Sequence, residues 1–178
     1  AQEKPSILPR GADPKALFSR GIAFVTFNYG IDGVSIETAK YARILDEIFV
    51  PFGDPDIHFI GGNFKPQAES LLRETWHRHQ IQGIDGWDKW EGGKWFGALF
   101  HQRMRPFSAE SKHLAAEVTR QAVSIARSLG TYFLDNHISL VIPVNIASNP
   151  GNLALTLGFV LATEALGLYV LNSNHDFY

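Results

Sequence analysis

Three short stretches collect the residue types that can hold or transform a polar ligand. The first, Asn28-Tyr-Gly-Ile-Asp-Gly-Val-Ser35, offers Gly30, Asp32, Gly33 and Val34 directly after an apolar run. Glycines there let the backbone approach a ligand closely. A helix starting in this stretch would aim free N–H groups at a phosphate or sugar oxygen, with the dipole favouring negative charge. The same residues also make an ordinary turn, with Asp32 or Ser35 as helix N-cap. The second stretch, Pro143 to Asn152, crowds Asn145, Ser148, Asn149 and Asn152 into one loop. Amides and hydroxyls donate and accept together, which suits a hydroxyl-rich ligand. Capping by Ser148 or Asn149, with Pro150 at the first helical position, would account for part of the cluster. The third, Asn172-Ser-Asn-His-Asp-Phe-Tyr178, puts His175 and Asp176 just past another apolar run. An imidazole can donate to a sugar hydroxyl or share a developing charge, and Asp176 is placed to orient it or to cap the next element.

Other candidates carry less. His77-x-His79 falls in a charged helix candidate with no further ligand to place beside it, so no metal site is expected. The first loop lacks the third glycine of a dinucleotide fingerprint, and neither a G-x-x-x-x-G-K-[ST] loop nor a G-x-S-x-G elbow occurs. No cofactor is expected. Trp76, Trp87, Trp90 and Trp95 gather in or beside one Gly-rich segment, where they either stack on sugar rings or pack an insertion against the core.

The elements that must position these loops follow from periodicity. Ile22 to Phe27 reads as a buried strand, and Ile36, Ala39, Tyr41, Ile44, Leu45 and Ile48 keep a helical period. A second strand, Ile57 to Ile60, ends at Gly61-Gly62, and a polar helix is expected near Gln67 to His79. Residues 81–106 lose periodicity and read as an irregular insertion. A long helix capped near Ser108 follows, with Leu114, Val118, Ala122, Ile125 and Leu129 on one face and a tail towards Asn136. Leu140 to Val144 reads as a strand, Pro150 to Leu166 as an apolar helix and Leu168 to Leu171 as a last strand. Non-alternating apolar strands separated by helices call for a mostly parallel sheet covered on both faces, a Rossmann-like α/β domain. In such sheets ligands bind beyond the carboxyl ends of the strands, where all three polar loops fall. Residues 1–19, with three prolines, read as an arm or linker, and residues 20–178 as the domain.

Composition narrows the class. The 178 residues are 45% apolar and 19% charged, which excludes a disordered chain. With 16 Lys+Arg against 18 Asp+Glu there is no basic field, so nucleic acid is not an expected partner. Cysteine is absent, which fits a reducing cytoplasm and rules out a disulfide scaffold. No apolar run approaches the ~20 residues of a transmembrane helix.

Taken in order, the three loops resemble the retaining glycosyltransferases of the two-domain GT-B fold, in the family 4 group that includes sucrose synthase and sucrose-phosphate synthase. The resemblance covers about residues 21–178. Asp32-Gly33 stands where the group has a Gly-Gly loop, so the first glycine is replaced. Asn145-Ile-Ala-Ser-Asn-Pro-Gly-Asn-Leu153 is similar, with a two-residue length difference, to a stretch bordering the sugar site in sucrose synthases. His175 matches a histidine that ends a strand in the group.

The resemblance implies transfer of a glycosyl group, with retention, from a nucleoside-diphosphate sugar to an acceptor hydroxyl of a sugar, polyol or acid. Gly30, Asp32, Gly33 and Val34 would face the donor phosphate, and His175 would act on the donor sugar as the catalytic residue. Asn145, Ser148, Asn149, Asn152 and Asp176 would hold the acceptor. The reaction needs no metal. It also implies a second Rossmann-like domain, in the same chain or a separate one, that carries most donor contacts. Residues 1–178 alone are therefore expected to be inactive. The alternative is a noncatalytic sugar- or nucleotide-binding domain regulating a larger assembly.

Overall fold

The computed structural model describes residues 20–49, 55–149 and 151–175; the expected arm, Pro150 and Asp176 lie outside them. Five strands, β1 (Gly21–Val25), β2 (Ile57–Gly61), β3 (His77–Gln80), β4 (Ile138–Pro143) and β5 (Tyr169–Val170), are all parallel, in the order β3-β2-β1-β4-β5. Three long helices accompany them: α1 (Gly33–Phe49), α2 (Ala109–Asp135) and α3 (Leu153–Leu166).

Every residue of β1, β2 and β4 is buried, which explains why their sequences do not alternate. Ile22 and Phe24 join Ala39 and Ala42 of α1 on one face, while Ala23 and Val25 join Ala122 and Ile125 of α2 and Leu155 and Phe159 of α3 on the other. The two faces are thus two separate apolar cores. This is the covered parallel sheet that the sequence leads one to expect, consistent with a Rossmann-like arrangement.

One expected element is wrong. Residues 67–79 do not form a helix: a 3-10 turn, Pro66–Ser70, is followed by β3, whose sequence is His-Arg-His-Gln. This strand lies at the sheet edge and its side chains are largely exposed, so it carries no apolar signature. Polar edges discourage pairing with other chains. Of the two later helices, α2 keeps its expected bounds and α3 starts later than expected. Helix α2 starts after Ser108, whose hydroxyl accepts from Ser111 N at 3.2 Å as expected, and runs through Gly130 to its C-cap Asn136. Buried Ile125, Leu129 and Phe133 hold that passage against the sheet. Helix α3 starts at Leu153, capped by Asn152 rather than by Ser148 or Asn149.

The Trp/Gly-rich insertion contains a 3-10 stretch (Trp87–Gly93), a single α turn (Lys94–Phe96) and a π stretch (Gly97–His101). Trp90 and Trp95 are buried in the α2/α3 core, and Trp76 stacks on Phe59 in the other. Trp90 Nε1 donates to Oε1 of the buried Gln121 at 3.0 Å, whose Nε2 donates to Glu91 Oε1 at 2.9 Å. Beside this chain the Arg120 guanidinium and the Gln121 amide hold Glu117 down to about 2. Packing therefore accounts for three of the four tryptophans. Trp87 is the exception, at 37% exposure. Among the described residues no helix is long and apolar enough to cross a membrane.

Candidate functional site

Strands β1 and β4 are neighbours, but the helices after them lie on opposite faces of the sheet, α1 on one and α3 on the other. This divergence is the topological switch point at which parallel sheets open a crevice. The loops after β1 and β4 flank it and are tied together at its base. Val144 N donates to Val25 O at 2.8 Å, and the buried Thr26 hydroxyl donates to Val144 O at 3.1 Å.

The segment after β5 is clamped to the same edge. Val144 bridges to Ser173, with Asn145 N donating to Ser173 O and Ser173 N to Pro143 O, each at 3.0 Å. The Asn145 side chain then fixes the next turn: its Oδ1 accepts the His175 backbone N–H at 2.6 Å. Asn145 is itself 3% exposed and left-handed at φ 58°, a conformation that Asn tolerates better than most residues. The imidazole of His175 is exposed, has Nε2 3.1 Å from Ser173 Oγ, and stacks with Tyr41 of α1 at 6.4 Å between ring centroids. The Tyr41 phenol is pushed up by its hydrogen bond to Glu37. His175 thus stands between the loop of β4 and the first helix.

At the start of α1 the geometry is mixed. Gly33 faces open space: a Cβ built there meets nothing within 4 Å, and its φ is not positive, so the fold does not require glycine. Asp32 is the N-cap, its carboxylate accepting Ser35 N at 2.8 Å and Ser35 Oγ at 3.2 Å, while Ser35 Oγ also accepts Gly30 N at 3.0 Å. This leaves the first-turn N–H groups of Gly33 and Val34 for water or ligand. The capping carboxylate takes one donor that a phosphate would otherwise use. The Lys65 side chain passes over Gly30, its Cδ 3.0 Å from where a Cβ would sit, and brings a positive charge to the loop.

The loop after β4 divides into two kinds of residue. Asn152 is fully buried and used up by the fold: Oδ1 caps Leu155 N at 3.0 Å, and Nδ2 donates to Gly83 O at 2.9 Å and Asp85 O at 2.8 Å. It ties the insertion to α3, and the capping explanation covers it. Asn149 differs. Its Oδ1 is buried with no hydrogen-bond partner among the described residues, and the same holds for Asn174 Oδ1 on the β5 segment. Buried acceptors of this kind are uncommon in proteins and suit a donor from outside. Ser148 Oγ lies 3.5 Å from Asn145 Oδ1.

Two residues at this edge, Lys65 and Asp85, escape the sequence reading, and a third, Trp87, is named there without a place. Lys65 follows the Gly-Gly-Asn turn, where no motif marks it. Asp85, inside the insertion, lies against Gly62, where a Cβ would fall 2.5 Å from Asp85 N. With the Asn28 amide turned so that its nitrogen faces the carboxylate, Asp85 Oδ1 accepts from it at 3.0 Å, and burial raises the Asp85 pKa above the ordinary carboxylate value. Trp87 carries a left-handed φ of 56° and donates its N–H to Gly151 O at 2.8 Å beside the same loop. Only a Gly-Gly end to β2, letting the insertion approach, signals Asp85 in the sequence. No family model, curated protein or solved structure matches this chain.

Proposed function

We propose that this domain is the acceptor-side, amino-terminal half of a retaining GT-B glycosyltransferase, transferring a hexosyl group from a nucleoside-diphosphate sugar to a hydroxyl of a sugar, polyol or small hydroxy acid. The observation that carries the reading is the meeting of the three polar loops at the switch point, with His175 held there through Asn145 and Tyr41. In the reaction, positive charge develops on the transferred sugar and negative charge on the leaving phosphate. The N–H groups of Gly33 and Val34, with Lys65 nearby, would offset the latter, and His175 would hydrogen-bond the former. Asn149, with Ser148 beside it, would take the acceptor hydroxyl. A second Rossmann-like domain, in the same chain or another, would supply the remaining donor contacts and close the crevice.

The test is a panel of nucleoside-diphosphate sugars and hydroxyl acceptors, assayed with this domain alone and together with its donor-binding domain. Transfer by the pair and none by the domain alone supports the reading. The noncatalytic binding domain is favoured by one observation, the Asp32 carboxylate capping the helix end where the donor phosphate would sit. Saturable sugar or nucleotide binding without turnover in the pair would select it.

A further inference from the structure

The His77-x-His79 pair, which the glycosyl-transfer reading leaves unused, lies on β3 and not on a helix. The parallel register pairs His77 with His58 of β2, at the opposite end of the sheet from the polar loops. Asp56 comes two residues before His58 and completes the group. Its Oδ1 is 2.7 Å from His77 Nε2 and its Oδ2 is 3.2 Å from His58 Nε2, and one ligand atom from each of the three residues lies within 4.8 Å of the others.

Two features set this group apart from a surface ion pair. His58 is 0% exposed, and its Nε2 is buried with no aligned hydrogen-bond partner among the described residues, although it is directed at the Asp56 carboxylate. Its other ring nitrogen, Nδ1, is 2.9 Å from the Tyr132 hydroxyl of α2, and Tyr132 is in turn stacked on His79 at 3.9 Å. An imidazole anchored through one nitrogen, with the other facing a carboxylate that can share an ion with it, is an arrangement in which histidines bind metals.

We propose that Asp56, His58 and His77 form a binding site for a zinc-class divalent ion at the amino edge of the sheet. Two imidazoles and one carboxylate select Zn²⁺ and its neighbours over Mg²⁺ or Ca²⁺, which take oxygen ligands. Donors around a tetrahedral ion with ~2.0–2.1 Å bonds sit about 3.3 Å apart. The two Asp56–imidazole separations are close to that, while the His58 and His77 rings are stacked at 4.6 Å between centroids with 19° between their planes. The exposed His77 ring must therefore swing for its nitrogen to converge with that of His58 on one ion. The fourth position would hold water. Such an ion would staple the short polar edge strand β3 to β2.

The test uses metal-free whole chain titrated with Zn²⁺ by calorimetry, and with Co²⁺ by visible absorption. One ion per chain should bind saturably, with a melting temperature that rises with Zn²⁺ concentration because the ion favours the folded state. His77→Ala and Asp56→Asn, both at exposed positions, should each weaken binding at least ~10-fold, and Tyr132→Phe should weaken it ~10-fold while keeping one ion per chain. His113→Ala should change nothing. Absence of saturable binding, a melting temperature that does not rise with Zn²⁺, or wild-type affinity in both His77→Ala and Asp56→Asn would overturn the proposal.

Discussion

The backbone N–H of His175 is held by the side-chain oxygen of Asn145, thirty residues earlier in the chain, at 2.6 Å. The sequence reading assigns Asn145 to an acceptor. The geometry makes it the residue that positions the histidine. On the proposed function, Asn145→Asp keeps the accepting oxygen and should retain most activity. Asn145→Ala loses it and also puts a Cβ-bearing residue without Asn's local bonding at φ 58°, which costs ~1–2 kcal/mol. Asn145→Gly removes the side chain without that backbone cost. The kcat/KM of Asn145→Gly should therefore fall alongside that of Asn145→Ala while its melting temperature stays higher; full activity in the glycine variant would show that the tether does not matter.

His175→Ala, measured in the two-domain enzyme, should lower kcat/KM by ~10²-fold or more, the scale of losing a donor aimed at developing charge. Its exposed ring contributes little packing, so the melting temperature should hold. Unchanged kinetics would remove His175 from the site.

Gly33→Leu should impair turnover more than stability. No described atom lies within 4 Å of a Cβ at that position, so the leucine would extend into the space that the proposed function assigns to donor phosphate. Equal loss of melting temperature and turnover would return Gly33 to a structural role.

For Asn152→Ala the expectation is the reverse: a loss of stability with acceptor KM unchanged in the enzyme that remains folded. The substitution removes a helix cap and leaves two loop carbonyls without their donor, together about 1–3 kcal/mol. Chemical denaturation of the variant measures it, and a changed acceptor KM at native stability would contradict it.

Asp85 gives a pH signature. Burial raises its folded pKa above the ordinary 3.8, so the folded state holds this proton more tightly than the unfolded chain does. The stability that protonation contributes is complete below about 3.8 and is lost as pH rises through the raised value. Asp85→Asn keeps an oxygen for the Asn28 amide but has no charge to desolvate. It should melt above the wild type near neutrality, and the gap should close on acidification towards pH 4. A gap that widens on acidification would reverse the sign of the shift.

What the sequence made legible was set by burial. Strands β1, β2 and β4 are buried on both faces and announce themselves as unbroken apolar runs, which marked the polar loops after β1 and β4; the segment after the short, less buried β5 was marked by the apolar run that contains it. Strand β3 had no such mark, because an edge strand of His-Arg-His-Gln looks like any solvated segment. The Asp56, His58 and His77 group was hidden for the same reason: it exists only through the register of that strand. Asn152 shows another limit. Composition can say that amides are plentiful in a loop, but which of them the fold consumes depends on partners such as Gly83 and Asp85, some 70 residues away.

Retaining transfer by this domain would be read from the anomeric configuration of the product. With this domain joined to its donor-binding domain, and nucleoside-diphosphate sugars labelled at the anomeric carbon, NMR of the product should show a new glycosidic bond with the configuration of the donor. His175→Ala should abolish most of that signal. An inverted product, or no transfer to any acceptor by a folded two-domain protein, would contradict it.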